Sequence, residues 1–150
     1  MSMKLLHIIG TLDQSYGGPV EALIQLTSAL EKLGHSNEVV SLDVNHHSNK
    51  MDLVNAVHYL GPSYGNYKYN SRLFPWIKRN VSRFDAVIVR GIWQYHSFAT
   101  WRAAQIIEFP YFVFTHGALD PWFKISYPLK HLKKILYWPW AEYRVLRDAT

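Results

Sequence analysis

The chain has 150 residues, 49% of them hydrophobic and 15% aromatic, and 16 Lys/Arg against 11 Asp/Glu give a formal charge of +5 at pH 7. That length and apolar content suit one domain with its own core and exclude global disorder. The absence of cysteine excludes disulfides and thiolate metal sites and fits the cytoplasm.

No apolar run reaches the length of a membrane span, and the N-terminus lacks a signal-peptide pattern. The charge is unevenly spread. Residues 1–60 carry three lysines against six acidic residues, net −3, which leaves +8 for residues 61–150. A one-sided basic surface points to nucleic acid, anionic lipid or phosphorylated ligands as partners.

The first stretch, Lys4 to His35, reads as strand, Gly-rich turn and amphipathic helix. Leu5, Leu6, Ile8 and Ile9 form a short apolar run suited to a strand covered on both faces. Gly17 and Gly18 permit backbone conformations closed to other residues, and Pro19 suits the first helical position. Val20, Leu23, Leu26, Leu30 and Leu33 recur at helical spacing, and Gly34 predicts the C-terminal cap. A loop feeding a free helix N-terminus offers N–H groups to an anion such as phosphate; a plain strand-to-helix turn gives the same pattern.

A second strand is expected at Glu38 to Leu42, then a polar loop from Asp43 to Asp52 holding His46 and His47, and a third strand at Ala56 to Leu60. Adjacent histidines seldom ligate one metal, so no metal site is expected there. Ser63 to Ser71 interleaves Tyr, Asn, Gly and Lys; it suits stacking on bases or sugars, or an ordered surface loop. Arg72 to Arg83 predicts a short helix with Leu73, Trp76, Ile77 and Val81 inward, followed by a buried strand at Ala86 to Val89 and a helix around Tyr95 to Ile107. Tyr111 to Thr115 is a fifth strand, and Pro128 to Arg147 is helical with a break at Pro139.

This alternation predicts an α/β fold: a Rossmann-like parallel sheet with helices on both faces, residues 1–150 forming a single domain. Ligands in such sheets sit beyond the C-terminal strand ends. The Gly17-Gly18 loop, Arg90 to Trp93, and His116 to Asp120 all occupy that edge. His116 follows a buried strand and precedes Gly117, so it can bond a sugar hydroxyl or phosphate oxygen, act as a base, or fasten its own loop. Dinucleotide, phosphate-loop, zinc-protease and nucleophile-elbow motifs are absent. Residues 124–147 mix Lys124, Lys130, Lys133, Lys134, Arg144 and Arg147 with Tyr137, Trp138, Trp140 and Tyr143; this suits peripheral contact with an anionic membrane, or a core with solvated lysines.

Taken together, HIIGTLDQSYGGPVEALIQLTSALEKLGH, FDAVIVRGIWQYHSFA and PYFVFTHGALDPWFK resemble the N-terminal, acceptor-side half of a GT-B glycosyltransferase of the family 4 type. The resemblance implies transfer of a sugar from a nucleotide-diphosphate sugar to a hydroxyl acceptor, a glycan or lipid-linked sugar, with retention and without metal or other cofactor. It implies that Gly17 and Gly18 face the donor phosphates and that His116 reaches the transferred sugar. Trp93, Gln94, Gly117 and Asp120 would line the acceptor cleft. It also implies a second domain carrying paired glutamates, absent here, so the chain is expected to be a fragment with little activity alone. The rival readings are a free-standing sugar- or phosphate-binding module, another α/β enzyme of GT-B build such as a sugar epimerase and, on the basic half, a nucleic-acid binder; nucleic acid is not the expected partner.

Overall fold

The computed structural model describes residues 1–44, 55–119 and 128–150. Five strands form one sheet: β1 (Lys4–Ile9), β2 (Ser36–Ser41), β3 (Ala56–Tyr59), β4 (Ala86–Arg90) and β5 (Tyr111–Phe114). Their order is β3-β2-β1-β4-β5, and every pairing is parallel. The helices are α1 (Gly18–Lys32), α2 (Leu73–Asn80), α3 (Tyr95–Ala104), α4 (Pro128–Tyr137) and α5 (Glu142–Arg147). The expected fold class is thus the observed one.

The period-2 alternation of the strands divides the core between the two faces. Leu6, Ile8, Val40, Val87 and Val89 pack with Leu73 and Ile77 of α2, Ala99 and Ala103 of α3, and Val145 of α5. On the other face Ile9 and Val39 meet Val20 and Leu23 of α1, while Leu5, Ala86 and Ile88 meet Leu30. Helices therefore cover both faces, as β1, buried on each side, requires.

Several local details refine the sequence reading. Gly18 rather than Pro19 opens α1, with Pro19 second. Leu33 is the C-cap and is exposed, not inward, because Gly34 (φ +85) follows it in a Schellman turn. There Gly34 N–H donates to Glu31 O and His35 N–H to Leu30 O. The segment after α2 tightens into a 3-10 turn, Val81–Arg83, and Trp76 is only half-buried. The helical C-terminal segment breaks between α4 and α5, around Pro139. Thr150 lies against the outer edge of β5, donating its N–H to Tyr111 O and accepting from Tyr111 N–H. His46 and His47 lie outside the described residues.

Candidate functional site

The strand order reverses beside β1: the chain steps outward to β2 and β3, then returns to β4 on the other side. The crevice beyond β1 and β4 is therefore where a ligand is expected. A Cβ on Gly10, just past β1, would lie 2.5 Å from Gln94 Oε1, so glycine lets the start of α3 close on the end of β1. Asp43, just past β2, pins the loop that follows β1. It accepts from Leu12 N–H (2.7 Å), Thr11 Oγ1 (2.8 Å) and Ser41 Oγ (2.6 Å). The loop then reaches Gly17, whose φ of +66° and ψ of −119° suit only glycine. No side chain caps α1, and open space surrounds both Gly17 and Gly18. Gly17 N–H donates to Gln14 O, Val20 N–H donates to Gly17 O and Pro19 has none, so the Gly18 N–H and the positive end of the helix dipole are presented to the edge.

Polar groups the sequence reading passed over are concentrated at the same point. Arg90 ends β4 with its side chain buried, and its Nε donates toward His7 Nδ1 at 3.5 Å. The guanidinium lies over the Phe114 ring, 5.3 Å from its centroid. Its Nη2 is buried without a partner, and no carboxylate is in ion-pair range among the described residues. Burial lowers Arg90 to about 10, still charged at pH 7. His7 and His96 are each lowered to about 4, chiefly by burial, so both are neutral. His96 donates Nε2–H to Arg90 O at 2.8 Å and leaves Nδ1 buried and unpartnered. Such a concentration of perturbed groups marks functional sites more often than plain cores. The available signal was a lone His and a lone Arg within the apolar strand sequences KLLHII and AVIVR.

The loops after β4 and β5 are each bent by a non-glycine residue in left-handed backbone, Trp93 (φ +71) and His116 (φ +49). This costs about 1–2 kcal/mol per residue and persists only where the surroundings enforce it. For Trp93 the surroundings are visible. Its N–H donates to Glu142 at 2.8 Å and its Nε1–H to Ala118 O at 3.2 Å, and its ring meets Lys134 (4.9 Å) and Trp138 (5.7 Å). Glu142 also accepts from Ser97 Oγ at 3.1 Å. Burial raises its pKa to about 7 against the opposing effect of these two hydrogen bonds.

His116 is exposed, its ring 6.2 Å from that of Phe114. Partial burial and then the Arg90 charge lower its pKa, which favours the neutral imidazole. Gly117 (φ +75) follows with open space around it.

Of the predicted residues, Trp93 is tied to the β5 loop beside His116 and Gly117 through Ala118. Gln94 turns instead toward the 64–69 loop, with its Nε2 3.4 Å from Asn66 O. Gly17 and Gly18 sit across the edge, where Lys68 lies over the ring of neighbouring Tyr16. Asp120 lies outside the described residues. Asn66, Tyr67, Trp93, Lys133, Lys134 and Tyr137 line an open cleft of about 400 Å³. No grouping of three or more metal-ligating side chains occurs among the described residues.

Comparison with known proteins agrees with the fold. A family model described as a glycosyl transferase 4-like domain matches residues 17–150. Among solved structures, the chain is similar to HepE of Anabaena, determined in complex with UDP and glucose. The TM-score is 0.51 at 14% identity, over 74% of this chain and 29% of that one. A glycosyltransferase from Rickettsia africae gives a TM-score of 0.53 at 14% identity, over 86% of this chain and 35% of that one. This chain thus spans about a third of their length. No curated protein matches.

Proposed function

The chain belongs to the glycosyl transferase 4-like domain family, and from that premise we propose that the whole protein transfers a sugar from a nucleotide-diphosphate sugar to a hydroxyl acceptor. The acceptor is a glycan or lipid-linked sugar, the anomeric configuration is retained, and no metal is required. Residues 1–150 form the Rossmann-like acceptor half, and a second domain holds most of the nucleotide. The reading is supported by the UDP and glucose bound to HepE and by the length of both relatives, about two and a half times that of this chain.

One observation carries the proposal. An uncapped helix N-terminus at Gly17-Gly18 and an exposed His116 stand on the same strand-end edge. The Gly18 N–H and the helix dipole stabilise the departing diphosphate without a cation. The uncharged imidazole of His116 hydrogen-bonds a hydroxyl of the transferred sugar. Trp93 and Gly117 line the acceptor side, with Gln94 and Asp120 assigned there as well. No helix among the described residues is long and apolar enough to cross a membrane; we assign the protein to the cytoplasm, in peripheral contact with anionic lipid through the basic C-terminal segment.

The test is nucleotide release by the full-length protein over a panel of nucleotide sugars with a mixed glycan acceptor pool. Release should depend on acceptor. His116→Ala should lower kcat at least tenfold while shifting Tm by under 2 °C. An equal loss of turnover and stability would return His116 to a structural role, and no release with any donor would overturn the transferase.

A further inference from the structure

The cleft beside Trp93 is unusual in what lines it. Its lining surface is mostly apolar, and the lining residues with polar ends are Asn66, Tyr67, Lys133, Lys134 and Tyr137, with no acidic residue among them. The two hydroxyls bond each other. One of them donates in that bond, which leaves the other with a proton to offer a ligand. Burial raises both phenols, so both stay protonated at any working pH. Glu142, whose charge reaches both tyrosines, is buried and already accepts from Trp93 N–H and Ser97 Oγ. The two lysines and the tyrosine pair therefore bring positive charge and a hydroxyl donor to a mostly apolar cleft.

The orientation of α4 sharpens this. Leu132, Ile135 and Leu136 are left exposed, while Lys134 is turned inward over the Trp93 ring. An isolated amphipathic helix would do the reverse, with leucines inward and lysine in water. Tyr137, set against Tyr67, and Trp138, set against Trp93, hold α4 in this orientation. An anion on the inward side and a lipid surface on the outward side both fit it.

We propose that this cleft binds the phosphate ester of a sugar, with Lys133 and Lys134 taking the phosphate and the Tyr67–Tyr137 pair hydrogen-bonding the sugar. The inference rests on the transferase reading and deepens it: the acceptor is a phosphate-bearing sugar, not a neutral glycan. Lysines provide charge without a fixed fork, which suits a rotating phosphate ester. The tyrosine rings supply flat walls beside it, Tyr67 meeting Tyr95 and Tyr137 edge to face.

Calorimetric titration of the protein with glucose 1-phosphate and with glucose tests the assignment. Glucose 1-phosphate should bind at least tenfold more tightly. The double substitution Lys133→Ala/Lys134→Ala should abolish that preference while leaving the far-UV circular dichroism unchanged, and Lys133→Arg/Lys134→Arg should retain most of it. Equal affinity for the two sugars, or a preference that survives the alanine pair, overturns the proposal.

Replacing glucose 1-phosphate by glucosyl phosphoryl polyprenol in phosphatidylcholine vesicles separates the two sources of the ester. A gain on vesicles assigns it to a lipid head, and parity assigns it to a soluble molecule. Nucleotide release by the full-length protein keeps this inference apart from its premise. Release that is equal with phosphorylated and neutral acceptors sinks the phosphate site alone. No release with either sinks the transferase.

Discussion

His7 and His96 are buried bases whose folded pKa values, about 4, lie below the 6.5 of the unfolded chain. Their neutral forms support the fold fully above pH 6.5, and that support is lost as pH falls toward 4. Each contributes about 2–3 kcal/mol over that window. Denaturant unfolding followed from pH 7 to 4 should therefore show a steep acid limb, flattened by His96→Gln or His7→Asn. An unchanged limb in both variants would place the proton uptake elsewhere. Glu142 has the opposite sign. Its folded pKa of about 7 exceeds the ordinary 4.5, so its contribution is complete below 4.5 and is lost as pH rises through 7. Glu142→Gln should gain on the order of 1–3 kcal/mol over wild type at pH 8 and nothing at pH 4.5. Equal stability at pH 8 would mean that the ionised carboxylate is well solvated. None of these shifts was legible in the sequence, because each follows from burial by residues far away in the chain. Glu142 reads as one acid in a basic segment, yet it folds back onto Trp93, 49 positions earlier.

At the level of elements, the strands were the most legible part, since a continuous apolar run bounded by Gly or Pro has few other uses in a parallel sheet. Helix ends were legible where backbone chemistry dictates them, as at Gly34, and less so where tertiary packing decides. Leu33 fits the helical repeat of α1 but falls on the Schellman turn and is exposed. The orientation of α4 was likewise illegible: its lysines and leucines give the period, not the side that meets the protein. Gly17 and Gly18 look equivalent in sequence and are not. Gly17 has φ +66, whereas Gly18 has helical backbone and nothing within 4 Å of the place a methyl group would occupy. Gly17→Ala should cost roughly 1–2 kcal/mol through its strained backbone. Gly18→Ala should leave Tm within 2 °C yet weaken nucleotide-sugar binding at least fivefold, because the methyl would stand where the donor phosphates approach. Thermal melts and donor titration of the full-length protein check both. Unaltered donor affinity in Gly18→Ala would remove the phosphates from this loop.

For the molecule as a whole, the order β3-β2-β1-β4-β5 puts His116, Trp93 and the Gly17-Gly18 turn on one edge although 99 residues separate Gly17 from His116. Alternation alone indicated that edge, but not the buried Arg90–His7 contact beneath it or the cleft walled by α4. Both need the third dimension. Trp93 joins three parts of this assembly: its ring lines the cleft, its indole N–H holds the β5 loop, and its backbone N–H rests on Glu142. Glu142 titrates near neutrality, so an anion arriving in the cleft and a proton arriving at this carboxylate favour one another. By thermodynamic reciprocity the ligand should carry protons in with it. Binding heats for glucose 1-phosphate, measured at pH 7 in buffers of differing ionisation enthalpy, should fall on a line of non-zero slope equal to a fraction of a proton taken up. Glu142→Gln should level that line, making a tryptophan backbone the coupling between acceptor occupancy and the acidity of the surrounding medium.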